Sequence, residues 1–258
     1  MPYTISHVAA VVPFLRLLAR LRVLSAVVIG SMVPDFGYLM PIQPPRFQTH
    51  SAIALVTFCL PVGMLAYWTF QRLMKNPLVN VLPDQAYMRW KPYSTPAPWG
   101  DARQWLLAAS GVMAGAVVHL AWDGFTHEDA RGVRMLPELA DPMLEVHGHL
   151  LTGARLLQDL SSLLGLMIVI AAIGYALRPR GRLAVMPRAL TAFERRAWVL
   201  GFAIATLGFS AGFLILGHAL GASRWEGPSN AAIALLRALV LAALCVGGLL
   251  KVRLHAKR

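Results

Sequence analysis

Leu160–Leu177 reads LSSLLGLMIVIAAIGYAL, eighteen consecutive residues without Asp, Glu, Lys or Arg. At about 1.5 Å per helical residue, such a run approaches the roughly 30 Å of hydrocarbon that about 20 apolar residues cross. Ser51–Phe70, Gln104–Trp122 and Ala197–Ser223 also lack all four charged types, and Ala231–Leu250 carries Arg237 alone. Val23–Pro41 is interrupted only by Asp35, and Ile5–Arg20 is an apolar stretch with its charges towards its end. Hydrophobic residues make up 57% of the 258 and charged ones 14%. A soluble domain carries roughly 25% charged residues. The expectation is an all-α polytopic transmembrane bundle in one domain over residues 1–258, with six spans, or seven if the N-terminal helix crosses fully.

The net charge of +12 would point a soluble protein towards nucleic acid. In a membrane protein it marks cytoplasmic loops and anionic lipid headgroups instead, so no nucleic-acid partner is expected. Threading the chain with Val23 starting inside puts 18 Lys and Arg on inner segments and 5 on outer ones. That split makes 71–103 a cytoplasmic loop, 124–156 an outer loop and 178–196 a basic cytoplasmic connector. Within the connector, Thr191-Ala-Phe-Glu194 has the capping-box spacing that starts a helix. Cys59 and Cys245 lie in apolar runs and read as free thiols. The N-terminus lacks the basic region and cleavage site of a signal peptide.

Under this threading Asp35, His50, His119, Asp123 and His127 fall at one level near the outer face. His7 joins them if Ile5–Arg20 and Val23–Pro41 form a hairpin turning near Leu21. Ionisable groups at membrane depth are costly and mark functional sites. His119-x3-Asp123-x3-His127 places two imidazoles and a carboxylate on one helical face, provided the helix persists through Gly124. This spacing suits one metal held by neighbouring members, or two bridged by the carboxylate.

Tyr3-Thr-Ile-Ser6-His7, Ile29-Gly-Ser-Met-Val-Pro34-Asp35, His50-Ser51, His119-Leu-Ala-Trp-Asp123-Gly-Phe-Thr126-His127 and Ser161-Ser-Leu-Leu-Gly165 together resemble the bacterial membrane family catalogued as domain of unknown function 4184. That family is distantly similar to membrane-bound metal-dependent hydrolases and to zinc-dependent phospholipase C and single-strand nucleases. The resemblance implies zinc, and a phosphoester substrate. Where it leads one to expect Gln-His, the chain has Gln158-Asp159, which makes Asp159 a further candidate ligand.

The chemistry expected is that of one or more Zn²⁺ ions on His7, Asp35, His50, His119, Asp123, His127 and Asp159, with His119 and Asp123 central to catalysis. Zinc lowers the pKa of bound water to about 7 and polarises a phosphoryl or acyl oxygen. An outer-face site in a bacterial inner membrane suits a lipid or lipid-linked phosphoester, and Arg237 in the last span is a candidate for attracting its phosphate. His147-x-His149 reads as solvated loop, His218 as a supporting residue and His255 as inert. Gly208-Phe-Ser210-Ala-Gly212 has the spacing of a nucleophile elbow, but lies mid-helix where that strand-to-helix turn cannot form. Its glycines, with Gly111-x3-Gly115, are expected at close helix contacts. The competing class is a metal- or proton-coupled transporter or a metal-stabilised scaffold; a transporter would place polar groups near the midplane.

Overall fold

Proline decides which apolar stretches become regular helices. The computed structural model describes residues 4–40, 43–97, 101–128, 130–146, 149–178, 186–219 and 228–256. Thr4–Phe14 is wound as 3-10 helix with Pro13 inside it, followed by α1 (Leu15–Arg20). The chain reverses through Arg22, whose φ of 59° is left-handed, into α2 (Leu24–Gly30). Pro34 then opens a 3-10 segment, Val33–Leu39. The second apolar stretch is a π segment Leu55–Cys59, α3 (Leu60–Thr69), a second π segment Phe70–Met74 and α4 (Lys75–Val81). Pro61 and Pro77 each follow a π segment closely. A proline lacks the N–H for the i−4 bond and its ring crowds the preceding turn, so the helix widens there.

After α5 (Asp84–Trp90) comes α6 (Ala102–Thr126), then the short α7 (Arg131–Met135). Strands β1 (Pro142–Val146) and β2 (His149–Thr152) form an antiparallel hairpin with Glu145 opposite Leu150. The chain ends with α8 (Gly153–Leu177), α9 (Ala192–Ala219) and α10 (Pro228–Ala256). Among the described residues four helices are long and apolar enough to cross a bilayer: α6, α8, α9 from Ala192 to His218 and α10 from Ala231. The expected six or seven spans are not supported by the described helices: the first apolar stretches are wound as short α and 3-10 segments around Pro13 and Pro34, and the helix over residues 54–81 is widened by π turns beside Pro61 and Pro77. Outward aliphatic surface such as Ile170, Leu207 and Ile215, all more than 60% exposed, would be a large apolar liability in water. It points to a membrane protein, mostly helical.

Two compact units emerge. One comprises Tyr3–Tyr67 and Ala102–Ile173. Within it α2 and α6 touch backbone to backbone: a Cβ on Gly30 would lie 2.2 Å from the Val112 carbonyl oxygen, and one on Gly115 would lie 2.3 Å from that of Val27. Gly111-x3-Gly115 therefore serves close packing. The Gln104 amide donates to the Arg22 carbonyl at 3.1 Å, tying the hairpin turn to the start of α6. Ser6 Oγ donates to the Ser162 carbonyl at 2.7 Å, and a Cβ on Gly165 would meet the Ser6 carbonyl oxygen at 2.8 Å, so the N-terminal segment is seated on α8. Buried Val33, Cys59 and Ala116, flanked by Phe36, Leu55, Phe58 and Val62, form an apolar cluster linking these segments.

The other unit comprises Trp68–Asp101 and Gly174–Arg258. Asp84 is paired with Arg188 and Arg195, and the Tyr87 hydroxyl donates to the Pro187 carbonyl at 2.8 Å. The Glu194 amide donates to Thr191 Oγ at 3.2 Å and the Thr191 amide to Glu194 Oε2 at 2.9 Å, the reciprocal bonds of a capping box at the start of α9. A Cβ on Gly208 or Gly212 would meet nothing within 4 Å. The close-contact role expected of these two is thus corrected: they face open space among the described residues.

Candidate metal centre

Polar side chains from five segments meet at the C-terminal end of α6. His7 comes from the first 3-10 segment, Asp35 from the turn opened by Pro34 and His50 from just after a turn at Arg46–Gln48. His119 and Asp123 come from α6, which continues unbroken through Gly124 to Thr126, and His127 directly follows. Asp35, His119 and Asp123 are all at most 3% exposed. Two carboxylates so deeply buried cost several kcal/mol each unless cations or hydrogen bonds compensate them.

The hydrogen bonds around the cluster fix where its lone pairs point. His119 Nδ1 lies 2.7 Å from the Ser31 carbonyl oxygen. A carbonyl only accepts, so Nδ1 carries a proton, and the ring in its neutral form presents Nε2 as an acceptor. Thr49 Oγ donates to the Arg46 carbonyl at 3.2 Å and therefore accepts from His50 Nδ1 at 2.7 Å, which makes His50 Nε2 an acceptor too. Thr4 Oγ donates to Asp35 Oδ2 at 2.8 Å. What remains is Asp35 Oδ1, His50 Nε2 and His119 Nε2, all buried and without a hydrogen-bond partner. Three acceptors facing one another are mutually repulsive, so a proton or a metal ion must stand among them.

Their spacing is that of a ligand set. Asp35 Oδ1 is 3.3 Å from His50 Nε2 and 3.8 Å from His119 Nε2. Asp123 Oδ2 is 3.5 Å from His50 Nε2 and 3.6 Å from His119 Nε2. Ligands held at about 2.0 to 2.2 Å around a tetrahedral ion are about 3.3 to 3.6 Å apart. Asp35, His50 and His119 form one triad that could hold a metal, and His7, His119 and Asp123 form a second. The two triads differ in ring geometry. His50 and His119 are tilted with centroids 5.5 Å apart, whereas His7 and His119 are stacked at 3.8 Å. Imidazoles radiating from one tetrahedral ion have centroids about 5 Å apart, which fits the first pair better.

Around this core, His7 Nε2 lies 3.5 Å from Asp123 Oδ1, and burial with the neighbouring His119 pushes the His7 pKa down to about 4. His127 folds back so that Nδ1 is 3.1 Å from the Asp123 carbonyl oxygen and 3.7 Å from its Oδ2. Burial lowers its pKa as well. Arg46 Nη2 donates to Asp123 Oδ2 at 2.9 Å. Burial raises the pKa of Tyr38, and negative charge from Asp35 adds to the effect. In the sequence, Arg46 stood out only as a loop cation, although its place four residues before His50 on a proline-initiated turn was a signal. Thr49, adjacent to His50, was another.

Two candidates stand elsewhere. Asp159 is half-buried on α8 and paired with Arg155 one turn earlier, at 3.0 Å, rather than gathered into the cluster. Arg237 belongs to the other unit, where its guanidinium lies 6.0 Å from the Phe213 ring centroid. His218 and His255 are also in that unit, and His147 lies outside the described residues.

The profile of the family described as Domain of unknown function (DUF4184) matches residues 1–252. The chain belongs to that family. The match takes in every residue of the DUF4184 centre, from His7 to His127. No curated protein and no solved structure matches the chain, so the chemistry of the DUF4184 centre has to be read from its own geometry.

Proposed function

We propose that this DUF4184 protein is a membrane-bound hydrolase that holds zinc at Asp35, His50 and His119 and acts on a phosphoester or lipid-linked substrate at the outer face of the bacterial inner membrane. The observation that carries this reading is the convergence of three buried, unpartnered acceptors with the spacing of a ligand set. A zinc ion there would acidify water and polarise the ester oxygen. Thr49 and Ser31 hold the two imidazoles in the tautomer that ligation requires. Asp123, steadied by Arg46, is placed to take the water's proton. His7, 3.5 Å from Asp123 and with its side chain 14% exposed, offers the proton a way out.

Charge supports the outer-face reading. If α6, α8, α9 and α10 cross alternately, 11 Lys and Arg from Arg103 onward fall at the membrane face opposite the cluster and 4 at its own face. An excess of that sign favours the cluster end outside.

A second reading draws on the near-tetrahedral spacing of four side chains. With Asp123 as a fourth ligand a zinc ion has no open position, which is how structural zinc is held, and the centre would then stabilise a scaffold. Elemental analysis of untagged, detergent-purified protein beside His119→Ala tests both readings. Near-stoichiometric zinc that is lost in His119→Ala supports the centre, and hydrolysis of a phosphodiester by the loaded wild type separates enzyme from scaffold. A wild type that stays folded, contains no metal and cannot be reloaded refutes the metal and leaves a proton among the acceptors.

A further inference from the structure

We infer that Arg46 is the anion-receiving residue of this centre, so that the group it acts on carries a negative charge beside the scissile bond, as a phosphate ester does and a neutral carboxylic ester or amide does not. The inference rests on the metal reading above. Its first support is placement. Pro45 leads into a single 3-10 turn, Arg46–Gln48. The Arg46 carbonyl accepts from the backbone amides of Thr49 at 3.0 Å and His50 at 2.8 Å, and from Thr49 Oγ at 3.2 Å. The turn that aims His50 into the cluster thus also fixes the base of the Arg46 side chain. The turn holds the backbone and the bond to Asp123 holds the guanidinium, so less ordering is left for a ligand to impose.

The second support is exposure. The Asp123 side chain is 4% exposed and that of Arg46 is 41% exposed. The guanidinium therefore reaches the buried carboxylate from a side chain that is still partly open to solvent. Arginine presents five N–H donors in a planar fork matched to phosphate oxygens, and Nη2 is engaged with Asp123 at 2.9 Å.

The third support is charge. Asp35 and Asp123 contribute two negative charges, a divalent ion two positive ones, and the imidazoles are neutral when they ligate. Arg46 is left over, so the loaded centre carries one net positive charge at its mouth. A neutral substrate leaves that charge uncompensated, whereas a phosphoester anion balances it. If Arg46 served only to neutralise Asp123, a divalent ion beside the same carboxylate would make it redundant.

The test is calorimetric titration of zinc-loaded, detergent-purified full-length protein with inorganic phosphate, comparing wild type, Arg46→Gln and Arg46→Lys, with zinc content and thermal stability measured on the same samples. The expected result is that Arg46→Gln weakens phosphate binding tenfold or more, that Arg46→Lys falls between, and that all three retain zinc. Unchanged phosphate affinity in zinc-loaded Arg46→Gln, or no phosphate binding by the wild type, overturns the inference and leaves the metal centre standing. Loss of zinc or of folding in both variants makes Arg46 a structural counter-charge and also overturns it. A wild type that cannot be loaded overturns the metal reading, and this inference with it. Repeating the titration with phosphatidic acid in mixed micelles and with glycerol phosphate separates the two sources of the anion. A larger Arg46→Gln loss in the first assigns a lipid headgroup, and an equal loss assigns a soluble ester.

Discussion

Gly115→Ala should loosen the metal centre without touching any of its side chains. The new methyl would lie 2.3 Å from the Val27 carbonyl oxygen and 2.5 Å from the Ser31 nitrogen, where about 3.4 Å is ordinary contact. To make room, α6 must withdraw from α2 by about 1 Å. His119 lies one turn beyond Gly115, and its 2.7 Å bond to the Ser31 carbonyl would open to about 3.7 Å, which is no longer a hydrogen bond. The 3.8 Å separation from Asp35 Oδ1 would stretch to about 4.8 Å, too wide for two ligands of one tetrahedral ion. Overpacking of this kind costs about 1 to 3 kcal/mol, and loss of a supporting bond to a ligating histidine costs about 10- to 100-fold in metal affinity. The assay is zinc affinity by chelator competition alongside thermal unfolding in detergent. Gly124→Ala is the control: it lies in the same helix, even closer to the cluster, and its Cβ would meet nothing within 4 Å. It should retain zinc and gain up to about 1 kcal/mol from helix propensity. Wild-type zinc affinity and an unchanged Tm in Gly115→Ala would refute the claim that α2–α6 contact sets the ligand spacing.

Thr49→Val removes the acceptor of His50 Nδ1 and frees the ring to change tautomer; zinc affinity should fall about 10- to 100-fold, read by the same competition assay, with the helical circular dichroism unchanged. Asp84→Asn should lower Tm at neutral pH and leave zinc content untouched. Its hydrogen bond from Arg195, reinforced by Arg188, holds the Asp84 carboxyl below its ordinary range. A carboxylate with a depressed folded pKa contributes stability above its unfolded value and loses it as pH falls through the folded one. The stability gap to wild type should therefore hold constant over about pH 5 to 8 and close on strong acidification; a gap that widens on acidification would contradict this pairing.

Uninterrupted apolar runs and the convergence of the polar residues were the legible parts of this chain. Leu160–Leu177 lies wholly within α8 and Gln104–Trp122 within α6, because an uninterrupted apolar run satisfies its backbone most simply as helix. Val23–Pro41 and Ser51–Phe70 were equally apolar, but their prolines remove backbone donors at points a hydropathy sum does not register. The i, i+4, i+8 spacing from His119 to His127 translated into shared geometry since α6 persists through Gly124. Arg46 was harder to find, because its role depends on a three-residue turn that only tertiary contacts place beside Asp123. Asp159 carried its own warning: Arg155 stands four residues before it, the spacing of an ordinary surface ion pair on a helix. The hairpin at Pro142–Thr152 was not legible either, since its strands of five and four residues are too short for alternation to stand out.

The bond from His119 to Ser31 also limits how many ions the centre can hold. With Nδ1 committed to a carbonyl, the ring has a single coordinating nitrogen, yet both candidate triads include it. An ion seated with Asp35 and His50 therefore deprives the triad of His7 and Asp123 of its third member. The two triads are alternative berths for one ion, and loading through His119 should saturate at one equivalent per chain.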